Sequence, residues 1–108
     1  MLKVQNGVLN ASGNCGITQD DIKELDLTEL NAENNSQIYD VSFMTKLKIL
    51  NASGTSGIDQ NGIRGLDLFE LNIEGNGGIT DISFMKNLKL LKNVFKITDK
   101  KVINELEF

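Results

Sequence analysis

Apolar residues fall along this chain in a short recurring frame, not in the long stripes of amphipathic helices. Leu27, Leu30, Ala32 and Ile38 return as Leu68, Leu71, Ile73 and Ile79, with Asn35 and Asn76 in the ninth place. The frame reads L-x-x-L-x-(small or apolar)-x-x-N-x-x-I. Leu47, Leu50, Ala52 and Ile58 repeat it with Thr55 in the Asn place, and Leu9, Ala11, Asn14 and Ile17 repeat it with Asn6 where the first Leu belongs. A fifth copy opens with Leu88 and Leu91 and then loses the frame. Side chains alternate across a strand, so the spacing predicts strands of about four residues, with Leu30 and Ala32, or Leu71 and Ile73, pointing inward. Glu29, Asn31 and Glu33, and Glu70, Asn72 and Glu74, then point outward. A single unit cannot bury its own leucine face, so neighbours must stack, and the stacked strands are expected to form a parallel sheet.

The units start at residues 6, 27, 47, 68 and 88, so lengths of 21 and 20 alternate. A larger repeat of 41 residues follows. Leu9-Asn10-Ala11-Ser12-Gly13 returns as Leu50-Asn51-Ala52-Ser53-Gly54, and roughly 24 of 41 aligned positions are identical. The longer units carry Ile22 and Leu25, or Ile63 and Leu66, at a spacing that predicts a short helix or a turn of 3₁₀. The shorter ones carry Val41, Phe43 and Met44, or Ile82, Phe84 and Met85. Phe43 and Phe84 are expected in the core under the outer curve, with the methionines filling gaps. Residues 98–108 predict a terminal helix, with Val102 and Leu106 on one face to cover the last strand. Residues 1–5 look too short to cover the first, leaving an edge open to pairing between chains.

The segments Ile38-Tyr39-Asp40-Val41-Ser42-Phe43-Met44 and Ile79-Thr80-Asp81-Ile82-Ser83-Phe84-Met85, set within this frame, resemble leucine-rich repeats of the internalin-type, SDS22-like class. The resemblance spans about residues 6–97. It implies a single α/β solenoid domain over residues 1–108, a short right-handed horseshoe. The parallel sheet would line the concave side, with short helical, 3₁₀ or extended segments on the convex side. It also implies that Asn14, Asn35 and Asn76 are buried and bond the backbone of the adjacent turn as a ladder. The chain departs from internalins in lacking a recognisable helical N-terminal cap and a signal peptide, so host-cell attachment is not carried over.

Composition narrows the chemistry. The chain has no His, no Pro and no Trp, one Cys, and 13 Asn. Without His there is no Ser-His-Asp triad and no His-ligated zinc, and Cys15 alone makes neither an internal disulfide nor a metal knuckle. Cys15 reads as an inert small residue, since a reactive thiol needs positive neighbours that the sequence does not show. A net charge of −4 argues against nucleic acid. No run is long enough to span a bilayer. The absent signal peptide and single Cys favour an intracellular setting, or a fragment of a secreted or surface protein. The glycines recur with the repeat and follow turn geometry, with no phosphate-loop motif. Asp40 or Asp81 alone does not make a Ca²⁺ site, so no metal and no cofactor is expected.

Function is therefore expected on the concave face, in a module that is not an enzyme. Its third column reads Val8, Glu29, Ile49, Glu70, Leu90, so apolar residues alternate with Glu, and Phe69, Val94 and Phe95 add apolar surface. Glu29, Glu33, Glu70 and Glu74 form two acidic pairs two strands apart, beside Lys48, Lys89 and Lys92. A protein or peptide partner, with basic character, is the reading this face supports. The alternative is self-assembly, a homodimer formed through the apolar patch or an uncapped edge strand. Asn10, Asn31, Asn51 and Asn72 make a second Asn column. It reads either as a surface amide ladder or as a recognition row.

Overall fold

The computed structural model describes residues 4–93. Each unit forms one coil that opens with a three-residue strand: β1 (Val8–Asn10), β2 (Glu29–Asn31), β3 (Ile49–Asn51), β4 (Glu70–Asn72) and β5 (Leu90–Lys92). The strands form one parallel sheet in chain order. Register is kept without slip, so Leu9, Leu30, Leu50, Leu71 and Leu91 are successive partners. All five are buried. A one-residue slip would turn every leucine to the outer face. Each buried leucine stabilises the stack by about 1.5–3 kcal/mol. The coils thus build a β-solenoid whose core runs along its axis, extended by Ile17, Ile38, Ile58 and Ile79 behind the sheet.

Behind each strand the chain turns through a left-handed residue. Gly13, Asn34, Gly54 and Gly75 occupy the same place in successive coils, with φ of 65°, 59°, 68° and 75°. Glycine tolerates that region without steric cost, and Asn is among the few other residues that enter it readily.

The return segments follow the two unit types. The longer coils fold into α1 (Gln19–Ile22) and a 3₁₀ turn (Asn61–Ile63), as their i, i+3 spacing predicts. The shorter coils contain no helix among the described residues. A helical turn advances less per residue than extended chain, so the coil that contains one needs more residues to span the same width. One expectation is corrected here: Phe43 is 37% exposed, and Phe84 is only half-buried against the core. Val41 and Met44, with Ile82 and Met85, fill the interior instead.

The junctions between coils are of two kinds. From a longer coil to the next shorter one, side chains hold the stack. Gln60 donates Nε2 to the Asp81 carbonyl at 2.7 Å and accepts the N–H groups of Thr80 and Asp81 on Oε1, both at 2.9 Å. Gln19 does the same with Asp40 and Tyr39. Between the second and third coils Asn34 Oδ1 accepts the Thr55 N–H, and the backbones also approach closely. A Cβ on Gly62 would meet the Tyr39 carbonyl oxygen, and one on Gly57 would sit 2.7 Å from that of Ser36. Gly62 also accepts the Val41 N–H at 2.9 Å.

The outer edge of β1 is not left wholly open, contrary to the expectation from residues 1–5. Gln5 and Val8 exchange backbone hydrogen bonds of 3.1 and 3.0 Å across Asn6 and Gly7. Both of those residues have positive φ, as a type I′ turn requires. The helix expected over 98–108, and Val94 and Phe95, lie outside the described residues.

Candidate functional site

Strand register decides what meets on the outer face. Val8, Glu29, Ile49, Glu70 and Leu90 are direct partners in successive strands. Glu29, Ile49, Glu70 and Leu90 are half-buried, and Val8 is 37% exposed. Glu29, Ile49, Glu70 and Leu90 floor a shallow depression of about 260 Å³ across β2–β5, and Val8 lies outside it. Its walls include Asn31, Asn51, Asn72 and Lys92. Lys92 takes the place in β5 that Asn holds in the other strands, so the Asn column ends in a cation.

Three of the expected residues stand apart from this depression. Glu33 and Glu74 follow the strands, where their carbonyls accept the N–H groups of Gly13 and Gly54, both at 2.7 Å. Phe69 precedes β4 and is 47% exposed. Its carbonyl receives the N–H groups of Lys89 and Leu90. Lys48 and Lys89 are exposed at the same border. The face is thus basic and aromatic along the strand starts, mixed in the middle, and acidic past the strand ends.

The outer Asn column does local work. Asn10, Asn31, Asn51 and Asn72 each accept, on Oδ1, the backbone N–H two residues ahead, at 3.0–3.1 Å. This is an Asx turn, which closes the strand and starts the bend. No side-chain bond links one of these residues to the next among the described residues, so the amide ladder expected as one reading is replaced by four separate turns. Their Nδ2 donors have no protein partner among the described residues and remain available at the wall of the depression.

The inner Asn column also needs correction. Asn35 is buried and donates Nδ2 to the carbonyls of Ala11 at 2.7 Å and Ile17 at 3.0 Å. Asn76 repeats this with Ala52 at 2.7 Å and Ile58 at 2.9 Å. Asn14, expected to join them, is exposed. Each inner Asn reaches back to the preceding coil, and Asn14 belongs to the first coil described. Thr55 interrupts the column in the third coil, where it receives no such role and bonds Asn34 through its N–H at 2.9 Å. The result is two separate staples, each joining a longer coil to the shorter one after it.

The sequence reading missed Gln19 and Gln60, whose signal was their recurrence at a 41-residue offset. It also missed Asn6-Gly7, a dipeptide favoured in tight hairpin turns. Asp67, among the described residues, has a displaced titration. The Asn87 N–H that it accepts at 3.0 Å holds its carboxyl below the usual range, helped by the Asn87 amide at 2.7 Å and by Lys48 and Lys86. It lies on an inter-coil contact, away from the depression. Cys15 is exposed, with its Sγ 3.9 Å from the Asn35 amide. No helix among the described residues is long and apolar enough to cross a membrane. No protein-family model, curated protein or solved structure matches the chain.

Proposed function

We propose that the chain is a leucine-rich-repeat module without enzymatic activity, which binds a protein or peptide on the outer face of its sheet. The alternating 21- and 20-residue frame and the Asn staples support the repeat class. The observation that carries the function is the in-register column Glu29, Ile49, Glu70, Leu90 on the floor of the depression. These side chains do not serve the core, and they set apolar surface between carboxylates under a row of amide donors. A face of that kind suits a ligand with both apolar and basic side chains.

A random-peptide display selection on the intact chain, counter-screened on an Ile49→Asp/Leu90→Asp double variant, tests the reading. Enriched peptides should carry basic and apolar residues and lose binding to the double variant. No enrichment, or equal binding to a folded double variant, would overturn it. Sedimentation over a range of concentrations covers the rival. A dimer that Ile49→Asp breaks would give this same face to a second copy of the chain.

A further inference from the structure

Along the floor of the depression, carboxylate and hydrocarbon alternate at the spacing of the strands: Glu29, Ile49, Glu70, Leu90. Neighbouring strands lie about 4.8 Å apart, so Glu29 and Glu70 are separated by about 10 Å, and so are Ile49 and Leu90. A ligand lying across the strands must present basic and apolar groups alternately on one side at nearly that spacing.

Three backbone conformations can be compared with this ruler. An extended strand repeats a face every two residues, about 6.7 Å, and over three steps drifts by about 6 Å, more than a whole strand. A polyproline helix repeats a face every three residues, about 9.3 Å, which matches the carboxylates but places nothing over Ile49. An α-helix repeats a face every three to four residues, about 5.2 Å, and every seven residues, about 10.5 Å. Its drift over three steps is only about 1.3 Å, small enough for long side chains to take up.

Resting on the sheet-face reading above, we infer that the occupant is an amphipathic α-helix of a partner protein, laid across the strands. One stripe of it carries Lys or Arg at every seventh residue and a large aliphatic residue three to four places further on. The basic residues pair with Glu29 and Glu70, and the aliphatic ones rest on Ile49 and Leu90. Lys48 and Lys89 border the track on the strand-start side, and Lys92 closes it at β5. A uniformly basic helix is therefore disfavoured, and only the patterned stripe is complementary. The amide donors of Asn31, Asn51 and Asn72 would meet polar groups on the flank of that helix.

The test uses three synthetic peptides and the intact chain, read by fluorescence anisotropy and by circular dichroism. The first is an alanine-based helix with the Lys and Leu stripe. The second has the same composition with those residues scattered around the helix, and the third is proline-rich with Lys at every third place. The first should bind at least tenfold more tightly than the others and gain helicity on binding. Glu70→Lys should weaken it about tenfold, and exchanging the facing peptide Lys for Glu should restore it. Equal binding of the first two would overturn the inference, leaving only diffuse charge attraction. Tighter binding of the third would overturn the helix while leaving the sheet-face function standing. If none binds yet displayed peptides do so through Ile49 and Leu90, the helix again falls alone. If that selection is empty as well, both readings fall together.

Discussion

The side-chain amide of Asn76 donates to the main-chain carbonyl of Ala52 at 2.7 Å, across the gap between two coils. Its Oδ1 accepts the Gly78 N–H at 2.8 Å, so the same group shapes its own turn and holds the coil before it. Removing the amide strands the Ala52 and Ile58 carbonyls in a buried place. Asn76→Ala should therefore cost about 2–3 kcal/mol, and Asn35→Ala a similar amount. Asn14→Ala, in the corresponding place of the first coil but exposed, should stay within about 0.5 kcal/mol. Urea unfolding of the three variants checks this, and equal losses would show that the column is continuous after all.

Close backbone approach at the junction of the second and third coils makes a separate prediction. Gly62→Ala would press a methyl group onto the Tyr39 carbonyl, with backbone on both sides unable to yield. Overpacking of this kind costs about 1–3 kcal/mol. Gly77→Ala, with nothing near its Cβ, should change stability by less than about 0.5 kcal/mol. Thermal melts of the pair distinguish a steric contact from a general intolerance of glycine loss.

Asp67 gives the pH dependence. Its carboxyl is held below the usual range chiefly by the Asn87 N–H, so the stabilisation is complete above the unfolded-state value. It is lost as the pH falls through the lower, folded-state value. Urea midpoints measured at steps from about pH 5 down to about pH 2.5 should fall less steeply for Asp67→Asn than for the unaltered chain. Parallel curves would show that Asp67 does not contribute to the acid limb.

Sheet, register and leucine core were legible because they depend on a period that a sequence displays directly. Leu30 and Leu71 could hardly face anywhere but inward once the strand period was recognised. Phe43 was misread because the shorter coil offers three apolar residues close together, and Val41 and Met44 took the interior. Asn14 carried the right residue in the right place but lies exposed in the first coil described, which no local pattern reveals. Gln19 and Gln60 were overlooked because a polar residue in a return segment looks solvated until the neighbouring backbone is in view. The outer column was legible as alternation, while the gathering of Glu29, Ile49, Glu70 and Leu90 in one depression, with Val8, Glu33, Glu74 and Phe69 outside, depends on the folded chain.

The exposed Phe43 allows a simple check of that correction. Phe43→Ser should lower stability by less than about 1 kcal/mol, whereas Met44→Ser, on a buried neighbour, should cost about 2–5 kcal/mol. Comparable losses would return Phe43 to the core.

The central claim is that one residue in each strand belongs to the fold and its neighbour to a partner. The most direct measurement pairs Ile49→Asp with Leu50→Asp and follows both the thermal melt and binding of the selected peptides. Ile49→Asp should keep a cooperative melt near that of the unaltered chain and lose binding at least tenfold, while Leu50→Asp should unfold the stack. An Ile49→Asp chain that unfolds, or that stays folded and binds as before, would contradict the account.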